Sequence, residues 1–251
     1  MHKQREENMY QEAINNYLNQ HGHEKINLKA VLFDMDGVLF NSMPNHASSW
    51  HKVMERMGFG LSEEEAYMHE GRTGADTINI ISRRERGCDA TDEEIKAIYA
   101  AKSEEFNKCP EAPRMPGAWE VLNKIKDNGL TRMIVTGSGQ VSLLDRLNKN
   151  FPGIFQKELM VTAFDIKFGK PNPDPYLMAL EKGGLKPNEA IVIENAPLGV
   201  QAGVAAGIFT IAVNTGPLPD QVLWDAGANL LFHSMPEFNE NWEKVRNTLI
   251  G

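Results

Sequence analysis

The chain has little of what builds covalent or zinc-based scaffolds. Only 2 of its 251 residues are cysteine, Cys88 and Cys109. That excludes a disulfide framework and a cysteine-rich zinc site, and it fits a reducing compartment. No apolar run reaches the roughly 18 residues of a membrane span. The polar opening MHKQREENMYQEAINN contains no apolar stretch of the kind a secretory signal needs. The expectation is a cytoplasmic protein with no membrane partner. Basic residues are outnumbered, 26 against 34 acidic, for a formal net charge of -8, and they form no dense cluster. Nucleic-acid binding, which requires a basic surface, is therefore not expected. Internal repeats and low-complexity segments are also missing. What remains, 41% hydrophobic and 24% charged, is the composition of a globular protein. Its length suits one large domain or a domain carrying an insertion.

A series of short apolar runs is present. KAVLF from Lys29, RMIVT at 132–136, ELMVTA at 158–163, AIVI at 190–193, FTIAV at 209–213 and NLLF at 229–232 have the length and composition of buried strands. Helical patterns separate most of them. GAWEVLNKIKDNG places Ala118, Val121, Leu122 and Ile125 on one face and stops at Gly129. VSLLDRLNK groups Leu143, Leu144 and Leu147. DPYLMALEKGG begins with Asp174 as N-cap and Pro175 in the first turn, and PLGVQAGVAAG ends at Gly207. Alternating strands and helices predict an α/β fold: a Rossmann-like, doubly wound parallel sheet with helices on both faces. Residues 27–40 and 115–251 are assigned to this core.

Between residues 41 and 114 the strand signal disappears. NHASSWHKVMERMG is helical, with Ala47, Trp50, Val53, Met54 and Met57 on one face. Ser62 with Glu65, and Thr91 with Glu94, have the spacing of capping boxes. Ile95, Ile98, Tyr99, Lys102 and Phe106 share one side of 91–108. The expectation is an all-helical insert over 41–114, lying above the carboxyl ends of the strands, where open α/β sheets bind ligands. The prolines of CPEAPRMPG suit its return linker. Residues 1–26 form a separate extension, with Met9, Ala13, Tyr17 and Leu18 near helical spacing.

Four groups of polar residues fall at or just beyond strand ends: Asp34 with Asp36, Thr136 with Gly137 and Ser138, Lys170, and Glu194 with Asn195. Each alone has a plain structural reading as a turn or a solvated loop residue. Together they meet at one edge of a parallel sheet and make up the equipment for phosphoryl transfer. A carboxylate can attack phosphorus. Mg²⁺ on oxygen ligands and a lysine bring anion to anion. A hydroxyl and turn amides hold the transferring oxygens, and a second carboxylate moves a proton.

The stretches VLFDMDGVL, VTGS, GKPNPDPY and VIENAPLGV resemble the four motifs of the haloacid dehalogenase superfamily. The helical insert is similar to that superfamily's cap of the first type. Over residues 29–235 the chain looks most like the β-phosphoglucomutase-like branch. The resemblance implies Asp34 as nucleophile and Mg²⁺ ligand, and Asp36 as acid/base with its backbone carbonyl on the metal. It implies Thr136, the Gly137–Ser138 turn and Lys170 on the transferred phosphoryl group, and Glu194 and Asn195 in the metal motif. His46 and Trp50 match cap positions at the active-site mouth; the alternatives are a surface histidine and a helix-face core tryptophan.

The chain departs from the branch at two places. Asn195 stands where a second acid is usual. The cap loop YMHEGRTGADT carries Glu70 where the sugar-phosphate mutases carry a lysine, and lacks their arginine near Gly74. A free carboxylate ~4 Å from a phosphate charge costs about 4 kcal/mol at an effective dielectric near 20. That repulsion disappears if Glu70 ligates the metal or accepts hydrogen bonds. Glu70 is therefore expected as a Mg²⁺ ligand brought in by cap closure, the alternative being a solvent-facing helix-end acid. The loop is most similar to inorganic pyrophosphatases of this branch. The expected activity is a Mg²⁺-dependent phosphohydrolase working through an aspartyl-phosphate on pyrophosphate, with Arg72 either at the leaving phosphate or on the surface. The alternatives are a β-phosphoglucomutase or hexose-phosphate phosphatase and, remotely, a noncatalytic sensor of a phosphorylated ligand. A monomer whose only partner is a small phosphorylated substrate is expected.

Overall fold

A computed structural model describes residues 2–138 and 143–251. Six strands form one sheet: β1 (Ala30–Phe33), β2 (Thr131–Val135), β3 (Met160–Val161), β4 (Ala190–Glu194), β5 (Phe209–Val213) and β6 (Leu230–Phe232). Every pairing is parallel, in the order β3-β2-β1-β4-β5-β6. Parallel sheets are covered on both faces, which explains why the strands read as continuous apolar runs. All residues of β1 and β5 are buried. Val31 and Phe33 point into a core shared with α6 (Ala118–Asp127) and α11 (Met235–Ile250). Ala30 and Leu32 point the other way, against α8 (Asp174–Gly183) and α9 (Pro197–Ala205). The strand order reverses beside β1, and the crevice at such a reversal is where open sheets bind ligands.

The amino-terminal helix α1 (His2–His21) packs onto this core through a face shifted from the one expected. Tyr10, Ile14 and Tyr17 are buried with Ala13 and Leu18 alongside, whereas Met9 is 50% exposed. The Tyr17 hydroxyl donates to the Gly207 carbonyl at 2.9 Å, and its ring meets Phe209 edge-on. The helix thus spans the end of β5 instead of hanging free.

Four helices lie between β1 and α6: α2 (Met43–Arg56), α3 (Glu63–Met68), α4 (Gly74–Arg86) and α5 (Asp92–Asn107). Val53, Met54, Leu61, Ile78, Ile81 and Ile98 give them a core of their own. Thr91 and Glu94 form a complete capping box at α5. At α3 only half of one forms: Ser62 accepts from the Glu65 amide, while the Glu65 side chain turns to His69 and Arg84. Met57 ends α2 and is exposed, not core. At α8 the expected N-cap Asp174 is already the first helical residue, and Asn172 Oδ1 accepts its amide at 2.9 Å. Leu147 on α7 (Leu143–Asn150) is buried; the side chains of Leu143 and Leu144 lie outside the described residues. Among the described residues no helix is long and apolar enough to cross a membrane.

Candidate active site

Lys170 organises the strand-end half of the site. Its side chain is 1% exposed, and its three ammonium protons have three acceptors: Asp34 Oδ1 at 2.5 Å, Glu194 Oε1 at 2.6 Å and the Val135 carbonyl at 3.0 Å. Three different strands, β1, β4 and β2, supply those acceptors, so one side chain ties their ends together. Burial alone would lower the lysine's pKa, but Asp34 and Glu194 outweigh it and hold the ammonium charged. Burial pushes the Asp34 carboxyl above its ordinary range, with Lys170 opposing and Glu194 and Asp36 adding to the rise. Thr136 is buried at the end of β2, its hydroxyl accepting the Ser138 amide at 3.1 Å.

Glu194, expected in the metal motif, has both oxygens occupied by donors. Oε1 accepts from Lys170 and from the Tyr176 hydroxyl at 2.8 Å; Oε2 accepts from the amides of Asn195 and Ala196. A side chain on Gly199 would overlap this carboxylate, so the first turn of α9 can sit here only with glycine at that position. In this arrangement Glu194 is the counter-ion that fixes Lys170, and no oxygen is left over for a metal.

Asp36 points to the helical side. Its Oδ1 accepts from Ser42 at 2.5 Å and lies 3.4 Å from His46 Nε2. Burial would raise this carboxyl, yet His46 and Ser42 prevail and hold it well below the usual carboxylate range. His46 Nδ1 is 2.7 Å from the Lys102 ammonium, and burial together with Lys102 lowers the imidazole's pKa. A neutral imidazole accepting from Lys102 and donating to Asp36 satisfies both contacts. Lys102 stands over the rings of Trp50 and Phe106, and burial brings it down to about 8.

The loop between α3 and α4 covers the strand ends at backbone contact. A methyl group on Gly137 would come within 3.2 Å of the Gly71 carbonyl, and one on Gly169 within 3.0 Å of the Thr73 side chain. Through this loop Glu70 enters the site and is 9% exposed. It does not face solvent. Asn195 Nδ2 donates to both its oxygens, at 3.0 and 3.1 Å. Burial first, then the Asp34 charge, raises the Glu70 pKa well above its ordinary value.

Asn195 also tests whether Mg²⁺ fits. With Nδ2 committed to Glu70, Oδ1 is buried with no hydrogen-bond partner. It lies next to Glu194 in a site whose other donors, Asp34 and Asp36, are also oxygens, the ligand type Mg²⁺ takes. Among the described residues no group of three or more His, Cys, Asp or Glu is placed to hold a metal. A hard cation here therefore needs the amide oxygen, which the chain supplies. Glu70 does for that amide what outer-sphere partners do for metal ligands: it fixes which end points inward.

The residues read from the sequence thus come together, except that Glu194 faces Lys170. Asp34, Asp36, His46, Trp50, Glu70 and Arg72 line one cavity of about 90 Å³ with Thr136, Gly137 and Ser138. Trp50 fills both expected roles, packing on the helical core while lining the cavity. Sequence reasoning missed Lys102, Ser42 and Tyr176. For Lys102 the signal was a lone ammonium on the apolar side of α5. Ser42 and Tyr176 give no local signal, because only the fold brings them to Asp36 and Glu194.

Comparison with known proteins agrees with this geometry. Residues 31–213 match the pattern of the haloacid dehalogenase-like hydrolases. Hexitol phosphatase A of Escherichia coli (strain K12) is 34% identical over 188 residues, 74% of this chain and 83% of its own. A phosphorylated carbohydrates phosphatase of Thermotoga maritima is 29% identical over 203 residues, 80% of this chain and 92% of its own. The structure of a putative β-phosphoglucomutase from Bacteroides vulgatus is 79% identical with a TM-score of 0.94, covering 96% of this chain and 98% of that one. These relatives carry names of sugar-phosphate enzymes, and none of the three is named as a pyrophosphatase. They support the carbohydrate alternative over the pyrophosphate expected from the cap loop.

Proposed function

Because this chain belongs to the haloacid dehalogenase-like hydrolases, we propose that it is a phosphohydrolase in which Asp34 accepts the phosphoryl group of a small phosphorylated substrate. The observation that carries this reading is the Lys170 clamp on Asp34. The ammonium aims the carboxylate and offsets its charge as an anionic phosphoryl group approaches. The Asp34 oxygen forms a bond to phosphorus as the bond to the leaving oxygen breaks. Thr136 and the Gly137–Ser138 turn hold the transferred oxygens. Asp36, held in place by Ser42 and His46, passes a proton to the leaving oxygen and recovers one from the water that then releases phosphate from Asp34. Mg²⁺, when bound, supplies further charge neutralisation. Asp34, the backbone carbonyl of Asp36 and Asn195 would hold it; Glu70, expected as a further ligand, accepts from the Asn195 amide with both oxygens and would orient it.

The relatives favour a phosphorylated sugar or polyol as substrate. A second reading, pyrophosphate, has its own observation: a carboxylate, Glu70, is buried against the Asn195 amide in the cap loop. A panel with Mg²⁺ separates the two. It comprises a hexitol phosphate, a hexose 6-phosphate, β-glucose 1-phosphate and pyrophosphate, each assayed for free phosphate and for isomerised sugar phosphate. Phosphate release from the sugar and polyol esters is expected. Preferred release from pyrophosphate would establish the second reading. Glucose 6-phosphate formed without free phosphate would replace hydrolysis by mutase chemistry.

A further inference from the structure

The loop after β5 holds the turn behind Asp36 from outside the cavity. It reads NTGPLPD, Asn214 to Asp220. The loop is itself fixed. The Asn214 amide donates to the Phe232 carbonyl at 2.7 Å, and its side-chain Nδ2 donates to the Leu218 carbonyl at 2.9 Å and to Asp220 Oδ1 at 2.6 Å. Pro217 and Pro219 stiffen it further. From here the Thr215 hydroxyl donates to the Gly37 carbonyl at 2.6 Å, across 178 positions. Gly37 directly follows Asp36, is buried and has a φ of 83°, which glycine adopts without a steric penalty. A side chain does not fit there: a Cβ would overlap the Asn195 amide and come within 3.2 Å of Glu70 Oε1. Such a glycine turns freely about its two backbone bonds unless the planar peptides on either side are held. The peptide before it is held where the Gly37 amide donates to the Phe40 carbonyl at 2.8 Å. The peptide after it is held by Thr215.

The peptide before Gly37 carries the Asp36 carbonyl, the backbone oxygen expected on the cation. Losing the Thr215 bond would cost a buried carbonyl its donor and release one side of the glycine. The residue beside Thr215 is Gly216, and the Tyr67 ring lies on it: a Cβ on Gly216 would be 3.3 Å from Tyr67 Cδ1 and 3.4 Å from Cε1. Tyr67 belongs to α3, three residues before Glu70. The inserted helices thus rest on the sheet domain at the residue next to the Thr215 hydroxyl. We propose that Thr215 is a positioning residue that sets the direction of the Asp36 carbonyl through Gly37, and that the Tyr67 ring on Gly216 makes this hold depend on closure of the cap. Thr215 does not line the cavity, so it acts on the turn and not on the substrate. The role of the turn rests on the phosphohydrolase reading, and the first measurement therefore follows cation binding and not turnover.

Calorimetric titration with Mg²⁺, without substrate, compares wild type, Thr215→Val, Thr215→Ser and Tyr67→Ala. Thr215→Val keeps the branched shape and removes the hydroxyl; Mg²⁺ should bind roughly 3- to 10-fold more weakly, the range for one lost hydrogen bond. Thr215→Ser, which restores the donor, should recover most of the affinity. No Mg²⁺ binding in wild type, affinity unchanged in Thr215→Val, or equal weakening in Thr215→Ser would overturn the role. Tyr67→Ala should weaken binding by itself and add little on top of Thr215→Val, as for groups that act through one contact. Additive losses would overturn the dependence on the cap. For whichever compound of the panel is hydrolysed, kcat at saturating Mg²⁺ should fall in Thr215→Val with KM unchanged. A rise in KM alone would place Thr215 on the substrate and overturn the proposal. Wild-type protein that binds Mg²⁺ with this dependence on the Thr215 hydroxyl but hydrolyses nothing would instead overturn the phosphohydrolase reading and leave the positioning role standing.

Discussion

Two lysines are buried on opposite sides of this site, and their environments differ. Lys170, on the strand-end side, is 2% exposed; Lys102, on the helical side, is 5% exposed. Lys170 has two carboxylates and a carbonyl, and its pKa is raised. Lys102 has an imidazole nitrogen and two aromatic faces, and its pKa falls to about 8. Equal burial therefore produces opposite shifts, because the neighbours and not the depth decide which form is stable. The strand ends hold a permanent cation against Asp34 and Glu194. The helices hold a cation that can lose its proton, linked to Asp36 through one histidine.

The comparison breaks most visibly at the carboxylate that Lys170 serves. Asp34→Asn keeps the shape and the hydrogen bond but leaves a poor nucleophile. Turnover of any substrate from the panel should fall by at least ~10³-fold, since removing a covalent nucleophile leaves only binding and electrostatics. Retained phosphate release would transfer the nucleophile's role elsewhere.

Next in size is Lys170→Met. Removing one member of a buried ionic group strands its partners, at about 3–5 kcal/mol. Asp34 and Glu194 would then face each other without a cation, and the urea midpoint should drop accordingly while turnover is lost. The equivalent change on the other side, Lys102→Met, strands no carboxylate and removes an ammonium that burial disfavours, so at pH 7 it should cause no loss and raise stability by up to about 3 kcal/mol. Similar losses for both variants would erase the distinction between the two lysines.

The strand-end half was legible in the sequence and the helical half only in part, for a physical reason. Asp34, Thr136, Lys170 and Asn195 each sit at or beyond the end of an apolar run, and a parallel sheet brings such ends together whatever its loops do. Glu70 and Arg72 were visible as misplaced charges in a loop, but not what they touch. Glu70 meets the Asn195 amide across 125 positions, a contact set by how the loop backbone lies on Gly137. Glu194 shows the limit of motif reading. Its place in the motif was evident, yet Tyr176 and two backbone amides, together with Lys170, use both its oxygens. The extension before β1 was read with its face one residue off, because Met9 and Tyr10 are both apolar and only packing decides between them.

A smaller effect sharpens the comparison through pH. Lys102 has a folded pKa of about 8 against an ordinary value of 10.5. Below about 8 both folded and unfolded chains carry the proton. Between 8 and 10.5 the unfolded chain binds it and the folded chain does not, so stability should rise with pH across that window. The ceiling on this rise is about 3 kcal/mol. Urea unfolding at pH 7.5 and pH 10 measures it, and Lys102→Met should remove it. Lys170, whose folded pKa is raised, predicts the reverse sign at more alkaline pH. A wild-type slope unchanged by Lys102→Met would show that Lys102 is not the titrating group.

The smallest effect lies outside the site, where a charge pair is in water. Glu94 closes the capping box of α5 and pairs with Arg86. Arg86 first, then the Thr91 amide, lower its carboxyl from 4.5 to about 2. A depressed acid stabilises the fold above its unfolded pKa and stops doing so as pH falls through the folded one. Glu94→Gln should therefore lower the melting temperature slightly at pH 7, and the difference from wild type should shrink between pH 4.5 and 2. Because the pair is exposed, added salt should shrink it as well, whereas the loss in Lys170→Met should persist in salt. A salt-insensitive Glu94→Gln difference would assign the effect to the hydrogen bond with the Thr91 amide and not to the charge on Arg86.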